Sequence, residues 1–226
     1  MAEESGLIVQ LTQWAVDDAC RQLAQWRARF PRAGKLFVNV NIAGADLAEP
    51  QFAQRVRNAL LRFDLPPACL TLEITETTLM QQFEAGSRTL ARLREIGVGL
   101  SVDDFGTGYS SLSHLSRLPI NSLKIDRSFV ARLDEASGEA EIVRAVVQLG
   151  RALGKKVIAE GVETARQLQS LQALGCGHAQ GCLLGRPMNE EQVATLLGAE
   201  GATQSAPGAA DIDAVRRAMN EPVPAL

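Results

Sequence analysis

An α/β fold with parallel strands is predicted by three observations on this 226-residue chain. Amphipathic helical stretches alternate strictly with short β-rich runs. Six such runs can be counted, and every one of them ends on or beside a polar side chain. Strict alternation implies parallel strands joined by crossover helices. Two architectures satisfy it, an open doubly wound sheet and a (β/α)8 barrel, and six strands are two short of the second.

The elements follow in order. Leu11, Trp14, Ala15, Ala19, Leu23, Trp26 and Phe30 recur every three or four positions, which predicts an amphipathic first helix ended by Pro31 and Gly34. KLFVNVN is the first strand. A helix over about 49–62 leads through Pro66-Pro67 to the strand CLTLEIT. Another helix, about 79–95, leads to the run Val98-Gly99-Leu100-Ser101-Val102. A shorter helical stretch near 109–116 precedes the strand SLKID. EIVRAVVQLGRAL is a helix before KVIAEG, and ARQLQSLQAL a helix before HAQGC. A helix over about 189–198 closes the series. From Gly198 the small residues of GAEGATQSAPGAA predict a flexible linker, and DIDAVRRAM a short tail helix. The expected division is a domain over 1–198 and a linker with tail over 199–226.

Composition narrows the function classes. The chain is 46% hydrophobic and 22% charged with a net charge of −3, so it shows no basic stripe for a nucleic-acid polymer or anionic membrane. No apolar run reaches the roughly 18–20 residues of a membrane span. MAEESGLIVQ lacks a secretion-signal pattern, and a cytoplasmic location is expected. Cys176, His178 and Cys182 lie close in sequence, but they lack paired C-x-x-C spacing. Buried reduced thiols are the expected state of the four cysteines.

The polar residues at the strand ends carry the chemistry. Asn39, Glu73, Asp103 with Asp104, Lys124 with Asp126, Glu160 with Glu163, and Gln180 occupy these positions. In parallel α/β folds that rim is where ligands bind. Several carboxylates around one mouth are costly to bury unless a cation neutralises them. Carboxylate and amide oxygens are hard donors suited to Mg²⁺ or Mn²⁺. Asp103 and Asp104 end a strand on which neighbouring side chains diverge, and Gly106 and Gly108 predict a tight turn after them. Two cations bridged by neighbouring carboxylates clamp a phosphoryl displacement, and Lys124 can orient water or stabilise phosphate charge. His114 and His178 fall in or near helices and are expected to be structural. The residues by themselves point to metal-assisted hydrolysis of a phosphate ester.

LEITE, DDFGTGYSSL, LKID, AEGVE and QG, in this order and rhythm, resemble the EAL domain of bacterial cyclic di-GMP phosphodiesterases. The similarity runs over roughly residues 3–188 and includes AEESGLI and GRPM. It implies a (β/α)8 barrel of the TIM type and hydrolysis of cyclic di-GMP to linear pGpG with Mg²⁺ or Mn²⁺, as two ions. By position, it implies that Asn39, Glu73 and Asp103 ligate one metal and that Asp103 bridges to a second, beside Asp104. Lys124 would engage the nucleophilic water or phosphate, and Glu160 and Gln180 the metal and water network. Asp126 and Glu163 match positions near the substrate. Glu76 would brace the loop of Gly106 and Gly108, through which, with the adjacent helix, family members form homodimers. The family's Glu-Ala-Leu triplet is absent from these residues. The barrel is therefore expected to lack its first two strands, and slow turnover, or binding of cyclic di-GMP or a protein partner without turnover, is the alternative.

Overall fold

The computed structural model describes residues 7–108, 112–133, 138–198 and 210–211, in two compact units divided after Asn121. The first unit opens with α1 (Leu7–Arg29), then β1 (Val38–Asn41), α2 (Gly44–Ala48) and α3 (Phe52–Arg62). β2 (Leu70–Thr75), α4 (Glu76–Gln81), α5 (Phe83–Ile96), β3 (Gly99–Phe105) and α6 (Leu112–Arg117) follow. Its strands pair in parallel, β1 with β2 and β2 with β3. The second unit holds β4 (Ser122–Ile125), α7 (Arg127–Ala131), α8 (Glu139–Ala152), β5 (Lys156–Ala159), α9 (Ala165–Ala173), β6 (His178–Ala179) and α10 (Glu190–Gly198). There β4, β5 and β6 are parallel, and β7 (Ala210–Asp211) adds antiparallel to β6. All six strands read from the sequence are present, and within each unit they pair in parallel. β7 was not foreseen, because two residues carry no periodicity. The rest of the expected linker and the tail helix lie outside the described residues, as do residues 109–111 of the expected loop helix.

The core of each unit is built as strand patterning demands. Leu70, Leu72 and Ile74 of β2 are buried, as are Leu100 and Val102 of β3 and Leu123 and Ile125 of β4. Each such side chain contributes about 1.5–3 kcal/mol through removal from water. The first helix corrects the sequence reading. α1 buries Thr12, Val16, Cys20 and Leu23, whereas Leu11 and Trp14 are 54% and 63% exposed. Apolar residues at both helical spacings fit more than one face, and the buried Thr12 is not apolar. It is admitted to the core because its hydroxyl donates to buried Asp46 at 2.8 Å. The other differences concern short helices: α2, α4 and α7 span less than two turns and leave no periodic signal.

Asp46 joins α1 to α2. One carboxylate oxygen accepts from the Thr12 hydroxyl and from the Ala43 N–H at 2.7 Å, closing the first turn of α2. Burial pushes its carboxyl above the usual range, against the pull of those two donors and of Arg55. A raised acid binds its proton more tightly when folded. Its stabilising effect is complete below the unfolded value of 3.8 and is lost as pH rises through the folded value. Asp46→Asn keeps an oxygen for both donors and removes the titration. Denaturant melts from pH 4 to 7 are expected to show the wild type losing stability relative to Asp46→Asn as pH rises. A constant difference across that range contradicts the assignment.

Candidate active site

Strand register decides which polar side chains share a face. In the first unit Asn39 lies opposite Thr71, and Thr75 opposite Asp103. Thr71, Glu73 and Thr75 alternate onto one face of β2. Asn39, Glu73 and Asp103 therefore project from the same side of that sheet. Glu73 is 6% exposed and accepts from the Asn39 amide at 2.7 Å, so the two act as one donor set.

The adjacent aspartates come together by a break in the strand. Asp104 takes φ +52, in the left-handed region that few side chains adopt, and its N–H donates to the Asp103 carboxylate at 3.0 Å. Regular strand geometry would send the two carboxylates to opposite faces; here oxygens of both lie within 4.8 Å of each other. Strain of this kind costs about 1–3 kcal/mol and is held only where the surroundings over-determine it. Glu76 is part of those surroundings. It is buried at the start of α4 and accepts the N–H groups of Gly106 at 2.7 Å and Gly108 at 3.4 Å. Gly106 is favoured by its φ of +102; at Gly108 a Cβ would crowd Glu76 Cδ at 3.2 Å. Glu76→Ala is expected to release this loop. Limited proteolysis should then cut near residues 106–108 at least about tenfold faster, two charge-assisted hydrogen bonds having been removed. Unchanged cutting would show that the loop is held by other contacts.

In the second unit Lys124 lies opposite Ile158, and Ile158 opposite His178. Two residues on from Ile158 and His178 stand Glu160 and Gln180. The ladder is prolonged to both, through Glu160 N–H to Ile125 O at 3.2 Å and Gln180 N–H to Ala159 O at 2.8 Å. Lys124, Glu160 and Gln180 thus share one face. Lys124 is 4% exposed, and its ammonium meets Glu160 Oε1 at 2.6 Å. A buried ammonium requires such a partner.

The remaining expected residues fall as follows. Asp126 caps α7, accepting from the Ser128 N–H at 2.9 Å and from its hydroxyl. Glu163 is exposed, and its N–H donates to Gln167 Oε1 at 2.8 Å. Gln167 was overlooked as a positioning residue, although its signal is legible: Thr164-x-x-Gln167 is a capping box. Gly181 was also overlooked; a Cβ there would collide with the Val162 backbone at 2.2 Å. His114 stacks on Phe83 at 4.1 Å between ring centroids, a packing role as expected. Cys20, Cys69 and Cys176 are buried, but Cys182 is exposed, which corrects the expectation for that thiol. Cys176 donates to the His178 carbonyl at 3.3 Å, and burial raises its thiol. Among the described residues no metal-holding group forms around Cys176.

The donor chemistry is uniform. Asn39, Glu73, Asp103 and Asp104 offer only oxygen, which suits a hard divalent cation and excludes a thiolate zinc centre. The second face offers an ammonium, a carboxylate and an amide, groups that bind phosphate and move protons.

Comparison with known proteins agrees with that chemistry. The family model of the EAL domain matches residues 1–187. The chain is 49% identical over 195 residues to the bifunctional diguanylate cyclase/cyclic di-GMP phosphodiesterase MucR of Pseudomonas aeruginosa, covering 85% of this chain and 28% of that protein. It spans well under half the length of such curated relatives. The solved PaMucR phosphodiesterase in complex with c-di-GMP matches with a TM-score of 0.79 at 48% identity, over 85% of this chain and 77% of that one. A manganese/cy-diGMP complex of Klebsiella pneumoniae BlrP1 matches with a TM-score of 0.74 at 31% identity, over 80% and 45%. The chain belongs to the EAL domain family, whose named relatives include cyclic di-GMP phosphodiesterases.

Proposed function

We propose that this domain hydrolyses cyclic di-GMP to linear pGpG with Mg²⁺ or Mn²⁺. The observation that carries the reading is the common face of Asn39, Glu73 and Asp103, with Asp104 turned to meet Asp103 by its left-handed backbone. Asn39, Glu73, Asp103 and Asp104 would hold the cations, expected to be two. The bound cations supply Lewis acidity to the phosphodiester and its attacking water.

The chain's own groups do the rest. Glu160 meets Lys124 at 2.6 Å and orients it, and Lys124 directs its N–H bonds toward water or phosphate. Gln180 orients the same water, and Glu160 completes the ligand set. Glu163, exposed beside Val162, is available to a guanine edge as a hydrogen-bond acceptor. Asp126 fixes the backbone just after Lys124 by capping α7. Glu76, Gly106 and Gly108 hold the loop that sets Asp104, and that loop with its following helix joins two subunits. No helix among the described residues is long and apolar enough to cross a membrane.

Calorimetry of cyclic di-GMP binding, with and without Mn²⁺, tests the reading. Binding strengthened by Mn²⁺ and lost in Asp103→Asn/Asp104→Asn is expected. Binding indifferent to the cation and to both substitutions excludes a metal role, and absence of binding refutes the substrate.

A further inference from the structure

A second surface lies at the other ends of the first unit's strands. α3 and α5, with the turn between α3 and β2, enclose a groove of about 580 Å³. Its lining combines Leu60, Leu65 and Ile96 with two arginines, Arg57 and Arg92, and one carboxylate, Glu95. Pro67 and Ile96 lead into the starts of β2 and β3, whereas Glu73 and Asp103 stand toward their ends. The groove is therefore separate from the carboxylate face.

Its charge is unlike that of the chain. α3 and α5 together carry six arginines against two glutamates, in a protein of net charge −3. Four of these arginines are engaged locally: Arg55 with Glu49 at 3.6 Å, Arg62 with Asp17 at 3.4 Å, Arg94 with the Pro119 carbonyl at 3.2 Å and Arg92 with the Pro50 carbonyl at 3.4 Å. The Arg92 contact is to a carbonyl and not to a carboxylate, and Glu95 lines the same groove. No carboxylate partner is found for Arg57 among the described residues. Beside them Leu61 is 68% exposed at the rim of the groove.

We propose that this groove docks an amphipathic helix of a partner protein that carries acidic residues beside an apolar stripe. Leucine-type side chains of the partner enter between α3 and α5, and its carboxylates meet Arg57 and Arg92. This is the helix-in-groove mode, in which apolar anchors give affinity and flanking charges select the partner. The concave apolar floor favours a helix over a lipid surface or a nucleic-acid backbone, either of which needs only the positive face. The inference is independent of the hydrolytic reading.

The test uses the full chain and a fluorescein-labelled synthetic helix with a leucine stripe flanked by glutamates. A lysine-for-glutamate version of the peptide and phosphatidylglycerol vesicles serve as the other arms. Fluorescence anisotropy is expected to saturate with the glutamate peptide alone, to weaken with salt, and to lose at least about tenfold in affinity in Arg57→Glu/Arg92→Glu. Leu61→Ala, which leaves the charges in place, is expected to weaken it as well. Circular dichroism melts confirm that the variants fold. The proposal is overturned by no saturation up to about 1 mM peptide, the weak limit of specific contact. It is equally overturned by equal binding of the lysine peptide, by indifference to both variants, or by binding of vesicles in place of peptide.

Discussion

Glu160→Gln is expected to lower hydrolysis of cyclic di-GMP by about 10²–10⁴-fold, the range for loss of a group that moves or orients a proton. It also removes the carboxylate charge that faces the Lys124 ammonium at 2.6 Å. That side chain is 5% exposed, so neutralising Glu160 weakens the ionic compensation of a buried charge. Stability is expected to fall by less than the roughly 3–5 kcal/mol of a pair broken outright, since glutamine keeps an oxygen for the ammonium. A double variant separates the two effects. Lys124→Met/Glu160→Leu removes both charges and restores apolar packing, so its melting temperature should return to near that of the wild type. Its turnover should stay as low as that of the single variant. Recovery of activity along with stability would mean that the pair serves the fold alone.

Glu73→Gln carries the second large effect, on the cation. Glu73 is buried on the face that Asn39 and Asp103 share, and a glutamine there can still accept the Asn39 amide at the same position. The fold is therefore retained while one anionic oxygen donor is lost. Loss of a group that merely orients a ligand costs metal sites about 10–100-fold, so loss of the ligand itself should cost at least that. Electron paramagnetic titration of Mn²⁺ should show the affinity falling by that factor or more, with an unchanged circular dichroism melt. Equal Mn²⁺ affinity in Glu73→Gln would remove Glu73 from the ligand set.

The six strands and most long helices were legible because their periodicities are strong and their lengths ordinary. The faces of the strand ends were legible too: alternation alone puts Glu73 with Thr75 and Lys124 with Ser122. What escaped was set by contacts distant in sequence. Thr12 entered the core through Asp46, thirty-four positions away, and displaced Leu11 and Trp14 from the buried face. The adjacency of Asp103 and Asp104 pointed to a cation site. Their convergence, however, depends on a left-handed backbone at Asp104, braced by Glu76 thirty residues upstream of Gly106. A strand pattern read by alternation alone separates these carboxylates. The Lys124–Glu160 pair escaped for the same reason, since no local rule joins two strand ends across an intervening helix. The basic groove between α3 and α5 is likewise hidden in a chain of negative net charge.

Chromatography of cyclic di-GMP incubated with the chain and Mn²⁺ tests the central claim most directly. pGpG is expected to accumulate, slowly, and to vanish when EDTA is added or when Asp103→Asn/Asp104→Asn replaces the wild type. The claim that these oxygen donors assemble a cation-dependent phosphodiesterase centre is contradicted if cyclic di-GMP stays intact with Mn²⁺ present, or if pGpG forms equally well after the cation is removed.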